Sequence, residues 1–365
     1  MNRRDFIKSS TFLPAAAAVC ALPQFSFAAA NDRWRVFDVT TKVEVLKPAG
    51  TTRVWLPLPL AGDTDYQKNL GSTWSAEGGT ITSTTDGKYG AELIAVEWPE
   101  AVKNPVVQVN SRFATHDRAI DLSKPSKVSK AERAELQRYL AATEYMPTDG
   151  IVRDTAREIT KSARGGDTGK ARAIYDWIVE NTFRDPKTRG CGVGDIKTML
   201  ETQNLGGKCA DLNALFVGLA RSIGIPARDV YGVRVAKSEF GYRSLGVGND
   251  NITRAQHCRA EFYVESHGWV PVDPADVRKV VLEEKTGTLL TLDDAQVKAA
   301  RAKLFGAWEM NWLAFNTAHD VALPKAAHGK VAFLMYPQCE TAAGRLDTLD
   351  PDNFRYQMTA RELAI

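Results

Sequence analysis

The stretch Leu205-Gly206-Gly207-Lys208-Cys209-Ala210-Asp211-Leu212-Asn213 decides how this chain is read. Two glycines turn the backbone and deliver a cysteine to the start of a helix. From there Leu212, Leu215, Phe216, Leu219 and Ile223 recur at helical spacing and define one apolar face. Gly224 stops the helix, and Pro226 forbids its continuation. A cysteine in that first turn faces backbone N–H groups without intrahelical acceptors and the positive end of the helix dipole. Both favour the thiolate, which is the nucleophilic form. Taken alone, the same cysteine reads first as a small buried residue closing a helix, and the rest of the sequence has to overturn that.

The next informative stretch lies downstream. His257-Cys258-Arg259-Ala260-Glu261-Phe262-Tyr263 reads as a strand, and His267-Gly268-Trp269-Val270-Pro271-Val272-Asp273-Pro274 as its hairpin partner. A turn centred on Glu265 sets Tyr263 opposite His267, Glu261 opposite Trp269 and His257 opposite Asp273. A carboxylate so placed accepts the imidazole N–H and fixes its tautomer, which frees the other ring nitrogen for a thiol proton. Cys258 points to the opposite face by the period of two, so the thiol must come from another element. Cys209 is the cysteine whose helix position already favours ionisation.

Three separated motifs then agree in order and spacing. Gly206-Gly207-Lys208-Cys209 is followed by Leu215-x-x-x-Leu219-Ala220-Arg221-Ser222-Ile223-Gly224-Ile225-Pro226-Ala227-Arg228, then by His257, then by Gly268-Trp269-Val270-Pro271-Val272-Asp273-Pro274. Over residues 168–276 this resembles the bacterial transglutaminase-like superfamily. The resemblance implies an α+β, papain-like core in which a cysteine-bearing helix packs on an antiparallel sheet. It also implies a Cys-His-Asp triad with Cys209 as nucleophile, His257 as general base and acid, and Asp273 as orienting carboxylate. An oxyanion hole would take the Cys209 backbone N–H as its first donor. Gln203, six residues upstream, resembles the papain-type glutamine and is the candidate second donor. Arg259 stands where many members carry an aromatic, which makes it a candidate substrate-binding residue for acidic groups. Arg228 and Asp211 recur in the motif, with an ion pair and a first-turn helix charge as their plain structural roles. No metal is expected, since Asp347, Asp350 and Asp352 lack the glycine and terminal glutamate of an EF-hand loop. No cofactor is implied.

Outward from this core, residues 31–122 alternate apolar and polar in short runs separated by turn chemistry, which suggests a small antiparallel β-sandwich. Ser123-Lys124-Pro125-Ser126 reads as a linker. Residues 128–167 form a helical lead-in, opened by a capping box at Ser129-Lys130-Ala131-Glu132 and continued from Ile151 to Ser162. The core is assigned to 168–276, and 277–365 is read as an extension completing it. The glycine-rich stretch 237–253 precedes His257 and reads as a mobile loop, either a lid or a plain connection. His116, His319, His328 and His267 show no partner spacing and read as surface residues.

The first residues read as an address. Arg3-Arg4-Asp5-Phe6-Ile7-Lys8 is a twin-arginine motif, an apolar run follows to Leu22, and Ser26-Phe27-Ala28 offers small residues for cleavage. Residues 1–28 are therefore expected to leave a protein exported to the periplasm or beyond, with no membrane span after cleavage. The formal charge of +3 and the 25% of charged residues exclude a polyanion-binding composition, so no nucleic-acid partner is expected. Four cysteines remain after cleavage, without a C-x-x-C pair, and at most one disulfide is expected among them. Acyl transfer from an amide of a peptide or protein substrate through a thioester is the reaction this points to, and hydrolysis is the favoured outcome. A transglutaminase, in which an amine resolves the thioester, and a non-catalytic binding module are the alternatives.

Overall fold

Alternation along Arg35–Val45 buries Phe37, Val39, Val43 and Val45 on one side, and this strand organises the first third of the chain. The computed structural model describes residues 33–125 and 131–364. The twin-arginine segment, the cleavage site at Ala28 and the capping position Ser129 lie outside the described residues. Six principal strands come first: β1 (Arg35–Val45), β2 (Thr52–Pro57), β3 (Gln67–Ser75), β4 (Thr80–Thr85), β5 (Glu92–Trp98) and β6 (Val106–Thr115). Five helices follow: α1 (Arg133–Arg138), α2 (Gly150–Thr160), α3 (Gly166–Asn181), α4 (Ile196–Thr202) and α5 (Cys209–Ser222). Next come β7 (Ala227–Arg234), β8 (Gln256–Val264), β9 (Gly268–Val272), α6 (Pro274–Glu283) and α7 (Ala295–Lys303). The chain closes with β10 (Trp312–Asn316), β11 (Gln338–Thr341), β12 (Gly344–Leu346) and β13 (Phe354–Leu363).

Two antiparallel sheets, ordered β13-β1-β6-β3 and β12-β11-β2-β5-β4, form the expected sandwich. Val43, Val45, Val107 and Val109 of one sheet meet Val54, Leu56, Ile94, Val96 and Trp98 of the other in a common core. β3 and β4 carry no apolar period and are mostly exposed, so nothing in their composition announces them. The C-terminal stretch departs from the sequence-based assignment. Only β10 joins the core sheet, whereas β11, β12 and β13 return to the sandwich. β13 runs antiparallel along β1, from Val36 opposite Leu363 to Val45 opposite Phe354. Covering that edge satisfies backbone groups that would otherwise be open to another chain, and such long-range pairing leaves no local signature.

The second unit is the α+β core, a sheet ordered β9-β8-β7-β10 with α5 laid on one face. α5 is buried from Cys209 through Arg221, so the single apolar face read from sequence understates it. Within the helical lead-in, α1 is a short helix of Arg133–Arg138. α6 was not anticipated, although Asp273 and Pro274 are an N-cap and a first-turn proline. The two units are joined by Gln67, whose amide donates to the Ala314 carbonyl at 2.9 Å and accepts from the Ala314 N–H at 2.8 Å.

Under α5 lies a buried carboxyl group with no hydrogen-bond donor. Asp229 of β7 is fully buried, neither of its oxygens has a hydrogen-bond donor, and His319 Nε2 is 3.4 Å away. His319 is therefore a core residue, not the surface residue its sequence context suggested. Burial raises the Asp229 pKa to about 7 against the pull of Arg221, while burial holds His319 well below the ordinary imidazole value. Because the folded pKa of Asp229 exceeds the unfolded one, the native state loses stability as pH rises through roughly 4 to 7. Asp229→Asn is accordingly expected to raise stability at pH 8 relative to pH 5 by on the order of 2 kcal/mol, read by urea unfolding at both values.

Candidate active site

Asp211 sets the geometry of the cysteine. Its Oδ2 accepts the Lys208 N–H at 2.9 Å, and its Oδ1 accepts the Val193 and Gly194 N–H groups, each at 3.0 Å. The Ala210 N–H meanwhile donates to the Cys191 carbonyl at 2.9 Å. The start of α5 is thus stitched to the loop carrying Cys191, more than the first-turn helix charge that sequence assigned to Asp211. Gly192 makes room for this: its φ is +94°, and a Cβ there would lie 1.8 Å from the Asp211 carboxylate.

The hairpin brings the histidine to the carboxylate by a different register from the one read in sequence. The turn is centred on Ser266, with Gly268 at φ 73° closing a three-residue loop. Tyr263 consequently faces Trp269 and Glu261 faces Pro271. The shift is of two residues, so the faces are unchanged, and Asp273 falls just past the end of β9 as the N-cap of α6. From there Asp273 Oδ2 meets His257 Nε2 at 2.7 Å. Its Oδ1 accepts the Asp276 N–H at 3.0 Å and the Asn213 amide at 3.3 Å. Asn213, one turn along α5 from Cys209, also donates to the Cys258 carbonyl at 2.8 Å, which ties the cysteine helix to the carboxylate.

With Nε2 engaged, Nδ1 is left for the thiol. Hydrogen bonds from the Cys191 and Cys258 thiols, with His257 adding to them, hold the Cys209 thiol well below its ordinary range despite burial. Cys258 does face away from His257, but that face is the one α5 covers, so its thiol meets Cys209 instead. The Cys191 S–H has a second acceptor in reach, the Gln256 carbonyl at 3.3 Å. Cys191, Cys209, Cys258 and Cys339 are all free and buried. Burial and the nearby Arg234 act to lower the His257 pKa, yet Asp276 and Asp273 outweigh them and lift it to about 9.

Two residues here had not been singled out from sequence. Asp276 Oδ2 is 3.4 Å from His257 Nε2, and Arg234 donates to Asp276 Oδ1 at 2.6 Å and to Oδ2 at 2.8 Å. Burial opposes its ionisation, but Arg234 and His257 keep it well below the usual carboxylate value. A helical i, i+3 spacing from Asp273 was the available signal. His257, Asp273 and Asp276 offer ligand atoms within 4.8 Å of one another. Arg234, together with Arg259 at 3.7 Å from Asp273, already supplies the positive charge a cation would bring.

Arg259 and Gln203 are not where sequence put them. Arg259 is 2% exposed, donates to the Glu309 carbonyl at 2.8 Å and lies over Trp312 at 4.7 Å, behind Asp273 and away from the cavity lining. Burial and Arg234 push its pKa down to about 10. Gln203 is exposed, and its amide closes its own helix by donating to the Leu200 carbonyl at 2.9 Å. It does not line the cavity that Cys209 and His257 share. Arg228 keeps its structural role, paired with Glu261 at 3.3 Å and stacked over Trp269 at 3.9 Å. The 237–253 loop is pinned: Ser238, Glu239 and Phe240 donate to Glu309, and Arg243 and Ser244 to Glu284. Through Gly246 and Val247 it forms one wall of the cavity.

Comparison with known proteins bears on the family and the fold. The model of the transglutaminase-like superfamily matches residues 153–274, a span that holds Cys209, His257 and Asp273. An uncharacterized protein of Haemophilus influenzae is 34% identical over 356 residues, covering 91% of this chain and 93% of its own. The structure of a protein described as a candidate cysteine protease, from Cytophaga hutchinsonii, covers 90% of this chain and 98% of its own at 17% identity and a TM-score of 0.50. That likeness is one of fold. The periplasmic domain of TgpA from Pseudomonas aeruginosa covers 70% of this chain and 93% of its own at 13% identity, with a TM-score of 0.34.

The Asp211 cradle carries its own test. Gly192→Ala puts a methyl into the carboxylate and strains a left-handed residue, so it is expected to cost about 2–4 kcal/mol in urea unfolding.

Proposed function

The chain belongs to the transglutaminase-like superfamily, and from that premise we propose that it is a cysteine hydrolase cleaving amide bonds of a peptide or protein through a thioester on Cys209. The observation that carries this reading is the 2.7 Å bond from His257 Nε2 to Asp273, with the Cys209 thiol hydrogen-bonded to the same imidazole. The thiolate sulfur attacks the amide carbonyl carbon, and the carbonyl π electrons move to oxygen. The Cys209 N–H opens α5 and has no acceptor within the helix, so it is the donor that meets this oxyanion. Collapse breaks the C–N bond, and the leaving amine takes the proton from His257 Nδ1. Neutral His257 then removes a proton from water, which attacks the thioester and releases the carboxylic acid and the thiolate.

Asp273 acts by orienting the ring and favouring its charged form, and Asp276 adds to the second effect. Arg3-Arg4 and the small residues ending at Ala28 support export of the folded protein, so the enzyme would work in the periplasm or outside the cell. No helix among the described residues is long and apolar enough to cross a membrane.

Hydrolysis and transfer diverge only at the thioester. A glutamine-containing peptide incubated with a labelled amine is expected to be cleaved without incorporating label; incorporation would make the enzyme a transglutaminase. Cys209→Ala is expected to abolish cleavage, and Asp273→Asn to lower kcat roughly a thousandfold or more. If wild type cleaved no amide and a thiol-reactive amide probe labelled Cys209→Ala as fully as wild type, the protein would be a non-catalytic binding module; if Cys209→Ala retained wild-type turnover, Cys209 would not be the nucleophile. Cleavage requires the thiolate and the imidazolium together. Its rate is therefore expected to rise with pH well below the ordinary thiol range, as Cys209 ionises. It should fall near pH 9, as His257 loses its proton.

A further inference from the structure

The cavity open to Cys209 and His257 has a volume of about 450 Å³ and an unusual charge. Six cationic side chains line it: Arg184, Arg189, Lys208, Arg234, Arg254 and Lys279. No aspartate or glutamate is among its lining residues. Three carboxylates stand behind these cations. Asp276 pairs with Arg234 and Asp347 with Arg189 at 2.5 Å, while Glu283 is shared between Arg184 and Lys279. Lys208 and Arg254 meet no carboxylate among the described residues. Six cations against three carboxylates leave three positive charges in one cleft, an excess as large as that of the whole 365-residue chain. Cys209 and His257, as thiolate and imidazolium, cancel each other and do not change this balance.

Such a wall is costly unless it is used. Like charges converging from five separate segments repel one another, and a partly enclosed cleft screens them less than open solvent does. Arg254 is exposed two residues ahead of β8 and pairs with no carboxylate among the described residues, so no ion pair there accounts for its charge. A ligand bearing negative charge relieves the repulsion. Since the proposed reaction opens amides, the anion its substrate brings is a carboxylate. Tyr336, Leu349 and Tyr356 add surface to the lining for the stems of such side chains.

We propose that the substrate is a peptide carrying carboxylates beside the scissile amide, held by Arg254, Lys208 and the surplus charge of the Arg184–Lys279 pair. This rests on Cys209 being the nucleophile, and it transfers acidic recognition from the buried Arg259 to the cavity wall. Side-chain and terminal carboxylates share this chemistry, so substrates are needed that tell them apart.

Two alkylating reagents separate the claim from its premise. Iodoacetamide and iodoacetate both form a carbon–sulfur bond with a thiolate and expel iodide, but only iodoacetate is an anion. With the intact protein at low salt, mass spectrometry of the Cys209 peptide is expected to show an iodoacetate-to-iodoacetamide rate ratio on the order of tenfold above that of a free thiol. High salt and Arg254→Glu should both return the ratio toward the free-thiol value. If iodoacetamide labels Cys209 but the ratio already equals that of a free thiol, substrate acidity is overturned while the nucleophile stands. If neither reagent modifies Cys209, the nucleophile falls, and this proposal with it. In cleavage assays, terminally blocked peptides with glutamate next to the scissile bond should exceed their glutamine counterparts in kcat/KM by on the order of tenfold. A preference seen only with a free carboxyl terminus would assign the anion to the chain end, and equal rates for all peptides would overturn the proposal.

Discussion

The structure depends on keeping ionised groups in balance where water is excluded. His257 and Asp273 are 4% and 0% exposed, and an isolated charge in such a place costs far more than its partner's removal saves. The fold answers with matched numbers. Cys209, Asp273 and Asp276 can carry negative charge; His257, Arg234 and Arg259 carry positive charge within the same cluster. The Asp273 carboxylate is further fixed by the Asp276 N–H and the Asn213 amide, and the Asp276 carboxylate by Arg234, so the imidazole has one orientation available to it.

That balance explains which elements the site needs. α5 supplies the thiol and, one turn later, Asn213, so the sulfur and the orienting carboxylate are referenced to the same helix. β8 and the start of α6 supply the ring and both carboxylates. Behind them Trp312 donates to the His257 carbonyl at 2.9 Å and Trp308 to the Val272 carbonyl at 3.1 Å, which holds the backbone of both triad segments. The same tryptophans carry Arg259 on their faces, so β10 and its approach are part of the site without touching the cavity. A second pair of arginines, the buried Arg118 and the half-buried Arg228, closes on Glu261 at the far end of β8 and locks the hairpin to the segment leaving the sandwich.

The sandwich is tied into this arrangement from both ends of the chain. β1 begins it, β13 finishes it, and Phe37, Val39, Phe113 and Met358 share a cluster with Val233, Leu313 and Phe315 of the core sheet. Tyr356 of β13 and Tyr336 ahead of β11 line the cavity, so closing the sandwich also completes the site. The cationic wall has the same origin, since its members come from segments that only the folded chain brings together.

Local sequence determined the elements that carry chemistry. Two glycines, a helix-opening cysteine and an apolar repeat announced α5; alternation announced β8 and β9, and the period of two put His257 and Asp273 on one face. These follow from backbone periodicity and turn chemistry, which act over a few residues. Sequence could not give the register of the hairpin, because a shift of two preserves every face, nor the destination of Gln203 and Arg259, whose side chains reach several partners equally well. It also could not show that α5 covers Cys258, that Asp276 and Arg234 join the triad, or that β13 pairs with β1. Those depend on which distant surfaces meet when the chain collapses, and only the tertiary structure decides that, because burial makes each charge find its counterpart or remain unpaired.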